Sequence, residues 1–382
     1  MNKLEKIMCS RCLYDSETPK ISFDEKGVCN YCDLYDNLKK QFPGGKKGEE
    51  DFLKIVREIK AAGKNKKYDC VIGVSGGVDS SYLVHKVLEY GLRPLAVHYD
   101  NTWNYAVANE NISKVLTKLN VDLYTYIVNN EEADDIFLSF LKASVPEIDA
   151  SSDIGLASVL YIAAEKYGVQ YVIEGHSFKA EGVAPLGWAY MDGKYIASIQ
   201  KQFGSKKIKT FPNMPLYKFI KWIAIKRIRK IRPLWYLDYN KEAAKELLKR
   251  EFDWKDYGGH HMENRISRFG HGFYLPIKFK MDQRKNAYGA AVREGVITRE
   301  EGIRLLEAGR DYTKDELDNF KKRLKLTDEE FDKLIALPLK SFRDYPTYKK
   351  TFVRLKPLFF ILLKFNLIPH SFYIKYTSKD EI

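Results

Sequence analysis

The residues Ser75-Gly76-Gly77-Val78-Asp79-Ser80-Ser81 have the types and spacing to hold a phosphate. They follow an apolar run, residues 70–74, and precede an amphipathic one, so a strand should turn into a helix here. Two glycines let the backbone turn sharply and approach an anion, the serine hydroxyls can donate to phosphate oxygens, and a helix beginning near Asp79 aims its positive end at the same place. The stretch lacks the lysine of G-x-x-x-x-G-K-[ST] and the spacing of G-x-G-x-x-G, so it is neither of those nucleotide loops. A second signature lies near the start. Cys9-x-x-Cys12 and Cys29-x-x-Cys32 are two matched pairs, spaced as two knuckles that would present four thiolates to a tetrahedral Zn²⁺ and leave no open position for catalysis. Four unrelated reduced cysteines are the alternative reading.

A scaffold must position these groups. Apolar runs at 69–74, 92–99, 121–128 and 170–174 read as strands. Helical patterns at 79–90, 106–119, 132–143 and 154–167 separate them. This alternation predicts an α/β fold with a doubly wound parallel sheet, whose ligands lie beyond the carboxyl ends of the strands. The loop at 75–81, His98 with Tyr99, and Glu174 with His176 all fall at such ends. The chain thus divides into a zinc ribbon (1–40), a helical connector (41–67), the α/β core with a substrate-facing insertion (68–240), and a mainly helical region for substrate or partner binding (241–382). In that last region Thr298-x-x-Glu301, Thr313-x-x-Glu316 and Thr327-x-x-Glu330 read as capping boxes.

The loop resembles, residue for residue, the SGGxDS loop of the PP-loop ATP pyrophosphatases, of HUP-like fold, which split ATP into AMP and pyrophosphate to adenylate a carbonyl oxygen. Taken with the cysteine pairs, Glu174-Gly175-His176, Gly258-Gly259-His260-His261-Met262-Glu263-Asn264-Arg265, Tyr274-Leu275-Pro276 and Asp282-x-Arg284-Lys285, the chain resembles the N-acetyl sugar amidotransferases of bacterial surface-polysaccharide (O-antigen) biosynthesis over residues 7–310. The resemblance implies conversion of an acetamido group on a nucleotide-linked sugar into an acetamidino group, with ATP, Mg²⁺ and ammonia. Ser75, Gly76, Gly77, Asp79, Ser80 and Ser81 would hold the departing pyrophosphate, with Asp79 placing Mg²⁺, and the backbone near His98 and Tyr99 would receive adenine. It also implies a separate glutamine amidotransferase (glutaminase) subunit and a cyclase-like subunit, both resembling imidazole glycerol phosphate synthase. Of the five cysteines, four are assigned to zinc and Cys70 lies inside a strand, which leaves no glutaminase nucleophile.

Each remaining candidate has two readings. His260, His261 and Glu263 could bind a second metal or supply acid/base chemistry near the acetamido group, or pack structurally. Glu174 and His176 could be catalytic or could serve as hydrogen-bonding groups at a strand end. Lys179, Lys280, Arg284 and Lys285 could meet substrate phosphates or be solvated surface charges. The net charge of +13 concentrates in residues 201–285, where 22 Lys and Arg face 8 Asp and Glu, so this region should meet an anion. Residues 218–232 read as one basic amphipathic helix, packed by its apolar stripe or lying on a membrane, and 356–373 as a peripheral anchor or a docking segment. No run is long enough to span a bilayer and residues 1–10 lack an apolar signal core, so a cytoplasmic protein is expected. The same features would suit a PP-loop tRNA-modifying enzyme, by thiolation or lysidine-type ligation, although no nucleic acid is expected as partner. They would also suit a zinc-ribbon adaptor with a vestigial nucleotide site.

Overall fold

Residues 70–73 are apolar at every position because the strand they form is covered on both faces. The computed structural model describes residues 6–378 apart from 186, 260, 261, 311 and 366. Two antiparallel bridges, Met8 to Asp15 and Phe23 to Cys29, shape the N-terminal knuckles. After helices α1 (Asn30–Gln41) and α2 (Gly45–Ala62) come β1 (Cys70–Gly73), α3 (Val78–Glu89), β2 (Pro94–Asp100), α4 (Ala106–Leu119) and β3 (Leu123–Ile127). Helices α5 (Asn130–Ala143) and α6 (Ala150–Lys166) lead to β4 (Tyr171–Ile173), α7 (Phe178–Glu181), α8 (Gly193–Phe203), α9 (Leu216–Ile220) and β5 (Arg229–Ile231).

All strand pairs are parallel, in the order β3-β2-β1-β4-β5. The winding direction reverses between β1 and β4, so the ligand crevice of this doubly wound sheet opens where the 75–81 loop meets residues 174–176. Side chains alternate across β1: Val71 joins the larger core with α5 and α6, while Cys70 and Ile72 join the smaller one with α2 and α3.

The expectation of one basic helix over 218–232 is corrected. The chain makes α9, a π-helical turn at Lys221–Ile225, a left-handed residue at Arg227 (φ 53°) and then β5. Strand β4 has an edge to satisfy, and β-branched Ile231 suits a strand there. The cations of this stretch are also matched internally: Lys221 and Lys226 reach Glu165, Arg229 reaches Glu58, and Lys230 and Arg232 reach Glu174. Five of the seven cations in this stretch are thus paired with three carboxylates of the chain.

The C-terminal region is helical, as expected: α10 (Lys241–Phe252), α11 (Arg265–Phe269), α12 (Leu275–Lys278), α13 (Arg284–Arg293), α14 (Arg299–Glu307), α15 (Lys314–Arg323), α16 (Asp328–Ala336), α17 (Lys349–Arg354), α18 (Lys356–Lys364) and α19 (His370–Thr377). Thr313 and Thr327 form reciprocal capping boxes with Glu316 and Glu330, whereas at Thr298 only the hydroxyl half is made, to the Glu301 amide.

Two acids on α5 hold the connection between α8 and α9. Glu132 accepts the amides of Lys209, Thr210 and Phe211 at 2.7–3.0 Å, and Asp135 accepts those of Ser205 and Lys206 at 2.8–3.0 Å. Burial alone would raise both carboxyls, but these bonds outweigh it and lower them. Their stabilisation is therefore complete above the unfolded-state carboxyl range near pH 4 and is lost as pH falls through the lower folded values. Glu132→Ala should destabilise the protein at neutral pH by about 2–3 kcal/mol, because three backbone donors lose their acceptor. Chemical denaturation should show this difference shrinking as the pH is lowered below about 4.

Candidate functional site

The strand-to-helix turn is fixed by packing on one side and by hydrogen bonds on the other. Gly76 adopts φ +81°, and a Cβ there would stand 2.2 Å from the Ala108 carbonyl of α4, so only glycine fits. Its own carbonyl accepts from the buried Trp254 indole at 3.0 Å and from the Asn111 amide at 3.4 Å. Asn111, fully buried on α4, also bonds both backbone groups of Lys255. Within the loop, the Ser80 hydroxyl accepts from the Ser75 amide and donates to the Gly77 carbonyl, both at 3.2 Å. The Ser75 hydroxyl accepts from the Gly77 amide at 3.3 Å. Ser75 and Ser80 are partly exposed at the N-terminus of α3, whereas Ser81 turns inward and is buried. The arrangement is one that can hold an anion at the N-terminus of α3.

The carboxyl end of β4 lies directly on this cradle: a Cβ on Gly175 would be 3.1 Å from the Ser80 amide. Glu174 is gripped by Lys230 at 2.5 Å and Arg232 at 3.3 Å. Burial would raise its carboxyl, but these two cations hold it at about 2. At His176 the donor-only indole of Trp235 approaches Nδ1 at 3.2 Å, which assigns the ring proton to Nε2, 3.7 Å from Glu181. In this tautomer His176 is a hydrogen-bond donor and not a base. Asp79 accepts from the Tyr239 hydroxyl at 2.5 Å and from Lys241 at 3.3 Å.

Glu263 completes the crevice. A Cβ on Gly77 would lie 3.3 Å from the Glu263 carboxylate and 2.8 Å from the Tyr257 hydroxyl. Burial, followed by the charges of Glu263 and Asp79, keeps the Tyr257 phenol protonated. The Glu263 carbonyl accepts the Tyr105 amide at 3.0 Å, and Asn264 donates to Asn101 and Asn104 at 2.9 and 2.8 Å. His260 and His261 lie outside the described residues.

The other predicted residues divide. His98 is buried, bonds the Val74 carbonyl through Nδ1 at 3.0 Å and lines a cleft of about 460 Å³ with Asp100, Asn109 and Thr125. The Tyr99 side chain turns away and packs on Gly155 of α6. Lys179 is half-buried near Asp238 and Gly44, and Lys280 donates to the Ile277 carbonyl. Arg284 and Lys285, read as phosphate contacts or solvated surface charges, both pair within the chain. Arg284 grips Asp282 and the last carbonyls of α14, and Lys285 pairs with Asp15. Sequence reasoning missed Trp254, Tyr257, Asn111, Tyr239 and Lys241. The only signal was that Tyr257 directly precedes the Gly258-Gly259 pair, with Trp254 three residues before Tyr257.

Cys9, Cys12, Cys29 and Cys32 converge as expected, with all four sulfurs within 4.8 Å of one another and three of the separations at 3.6–3.9 Å. Four thiolates about 2.3 Å from one Zn²⁺ in tetrahedral array would be about 3.8 Å apart, so the cluster fits a single structural ion. Arg293 donates to the Cys32 sulfur at 3.3 Å while stacked on Tyr14 and Tyr35, and would offset part of the charge of a tetrathiolate. Arg299 donates to the Cys9 carbonyl, and the Tyr14 hydroxyl bonds Asn286 and the Val183 carbonyl. The ribbon is thereby joined to α13, which abuts α7 at Gly182, six residues beyond His176.

Residues 263–358 match the family described as LPS biosynthesis protein WbpG-like, C-terminal domain. The chain is 28% identical over 126 residues to the tRNA-specific 2-thiouridylase MnmA of Proteus mirabilis, covering 29% of this chain and 34% of the relative. It is 30% identical over 124 residues to the probable mitochondrial tRNA-specific 2-thiouridylase 1 of Caenorhabditis elegans, covering 28% and 32%. The chain thus spans about a third of the length of these curated relatives. Among solved structures, NMN synthetase from Francisella tularensis aligns with TM-score 0.35 at 16% identity, over 78% of this chain and 99% of that one. The NH3-dependent NAD synthetase of Campylobacter jejuni aligns with TM-score 0.32 at 14% identity, over 77% and 98%.

Two outcomes follow from this geometry. Gly76→Ala should destabilise the protein by about 2 kcal/mol or more in chemical denaturation, since the new methyl group meets a backbone carbonyl at a left-handed position. Wild-type protein should carry one zinc per chain by metal analysis, and Cys9→Ser/Cys29→Ser should lose it. Arg293→Met should keep the ion but release it to a chromogenic chelator about tenfold more readily.

Proposed function

We propose that this chain, a PP-loop protein with a WbpG-like C-terminal domain, is an AMP-forming amidotransferase that converts the acetamido group of a nucleotide-activated sugar into an acetamidino group. The observation that carries this reading is the seat of the WbpG-like segment: its first residues, Glu263 and Asn264, lie on the phosphate cradle and on the loop after β2. An LPS-biosynthesis domain thereby shares one crevice with an ATP-pyrophosphatase loop.

Amide oxygen is a poor leaving group, and adenylation removes that obstacle. The acetamido oxygen attacks the α-phosphorus of ATP, the bond to the β-phosphate oxygen breaks, and pyrophosphate leaves. Ammonia then adds to the imidate carbon and AMP departs with the original amide oxygen, so C=O becomes C=NH. The α3 N-terminus binds the departing pyrophosphate, with the Ser75 and Ser80 hydroxyls turning to it from their bonds within the loop. Asp79, a hard oxygen donor in the first turn of α3, fits a Mg²⁺ ion. When bound, that ion would neutralise phosphate charge. Lys241 and Tyr239 orient the Asp79 carboxylate. The Glu174 carboxylate, locked between Lys230 and Arg232, positions the β4 end rather than moving protons. Glu263 is the carboxylate placed to take the proton released when ammonia adds, and His176 donates through Nε2.

Ammonia comes from a separate glutaminase and is delivered through a cyclase-like subunit. Four cysteines form the metal cluster, and Cys70 is fully buried in β1 with its thiol pushed up by burial, so none is placed to attack glutamine. The similarity to tRNA thiouridylases over about a third of their length supports a second reading, tRNA thiolation. The same cysteine placement weighs against it, because no exposed thiol is available to carry sulfur.

The deciding experiment incubates the purified chain with ATP, Mg²⁺, ammonium and a panel of UDP- and CMP-linked acetamido sugars, and follows products and AMP by mass spectrometry. The expected product has one oxygen replaced by NH, and an ¹⁸O label in the acetamido group appears in AMP. Asp79→Asn should lower AMP formation about 100-fold. Glutamine should replace ammonium only when the partner glutaminase is added. AMP release dependent on tRNA alone would overturn the amidotransferase in favour of the second reading, and glutamine-driven turnover by the isolated chain would remove the partner from the scheme.

A further inference from the structure

Helix α18 is apolar on the side it buries and on the side it shows. Phe359 and Leu362 are buried, with the Phe359 ring against Phe352 and Phe372. Around the opposite face Leu358 is 40% exposed, Phe360 45%, Ile361 52% and, just past the helix end, Phe365 66%. A surface helix normally turns polar residues outward, and a patch of two phenylalanines, an isoleucine and a leucine in one short segment needs an apolar environment of its own. Lys356 and Lys364 frame the helix at its two ends, with their ammonium groups over the rings of Tyr373 and Phe360. The whole segment 345–378 contains Lys349, Lys350, Arg354, Lys356, Lys364 and Lys375 and no Asp or Glu.

We propose that this face is a membrane-contact surface that lies in the headgroup region of an anionic bilayer, with Leu358, Phe360, Ile361 and Phe365 in the acyl boundary and the flanking lysines at the phosphates. The combination of apolar insertion with one sign of charge is what an interfacial helix requires. A second copy of the chain would meet the same face less well, because it would oppose two acid-free, cationic segments. No helix among the described residues is long and apolar enough to cross a membrane, so the contact is with one leaflet. The surface involves none of the crevice residues and does not depend on the reaction proposed above. It would hold the enzyme beside an anionic leaflet while leaving the crevice chemistry unchanged.

The test is co-flotation of the full-length protein with vesicles of phosphatidylcholine alone and of phosphatidylcholine with 30% phosphatidylglycerol, at low and high NaCl. Protein should float with the anionic vesicles and separate from them as salt rises. The triple change Phe360→Ser, Ile361→Ser, Phe365→Ser should reduce flotation at least tenfold with an unaltered melting temperature. Because a variant in this helix could misfold, the exposed charge pair Lys356→Glu/Lys364→Glu provides a second reading and should also lose flotation. Failure of the wild-type protein to float with either vesicle would overturn the proposal. So would flotation that both variants retain, or concentration-dependent dimers by light scattering that the triple variant abolishes in the absence of vesicle binding.

Discussion

The carbonyl of Gly76 is the point on which the crevice is built. It is reached by the Trp254 indole and the Asn111 amide, while the other side of the same residue is pressed against the Ala108 carbonyl. Three stretches far apart in sequence therefore agree on one backbone conformation. A loop held in this way keeps its backbone fixed, and only the side-chain hydroxyls need turn from their bonds within the loop to meet an anion. Preorganised donors stabilise developing charge far more than donors that must first reorient.

Sheet order does the next part of the work. With β4 beside β1, Glu174-Gly175-His176 falls against the first turn of α3, and β5 brings Lys230 and Arg232 to the Glu174 carboxylate. That arrangement pairs cations of a locally basic stretch with a carboxylate at the crevice. The cations of 218–232 largely answer acids on α2, α6 and β4's end, and what the loop itself offers an anion is a helix terminus and short-range donors. A local charge count sees neither the acids nor the distances.

The sheet and its loop were legible in the sequence because both are local. Four apolar runs, the glycine pair at 76–77 and the paired cysteines each carry their signal within a few residues. Helix α4 even begins and ends where its pattern does, at Ala106–Leu119. The walls of the crevice were not legible for the opposite reason. Trp254 meets Gly76 across 178 positions and Tyr239 meets Asp79 across 160, and no periodicity or motif connects them. Residues 218–232 failed in a third way: a helical pattern of basic and apolar residues was overridden by the unpaired edge of β4, where a hydrogen-bonded ladder outweighs helix propensity.

The same long-range logic gives the cysteine cluster its meaning. A closed tetrathiolate site has no position for substrate, so its contribution must be mechanical. The contacts say where the force goes: Arg293, Arg299, Lys285 and Asn286, all at or beyond the start of α13, bind the ribbon through Cys32, Cys9, Asp15 and Tyr14. Asn286 also presents its backbone carbonyl where a Cβ on Gly182 would stand, immediately after α7. Since α7 begins two residues past His176, anything that loosens the cluster loosens α13, then α7, then the end of β4 that rests on the phosphate cradle. The cysteine cluster and the crevice are thus linked through α13 and α7, although the four cysteines lie in the ribbon and not at the 75–81 loop.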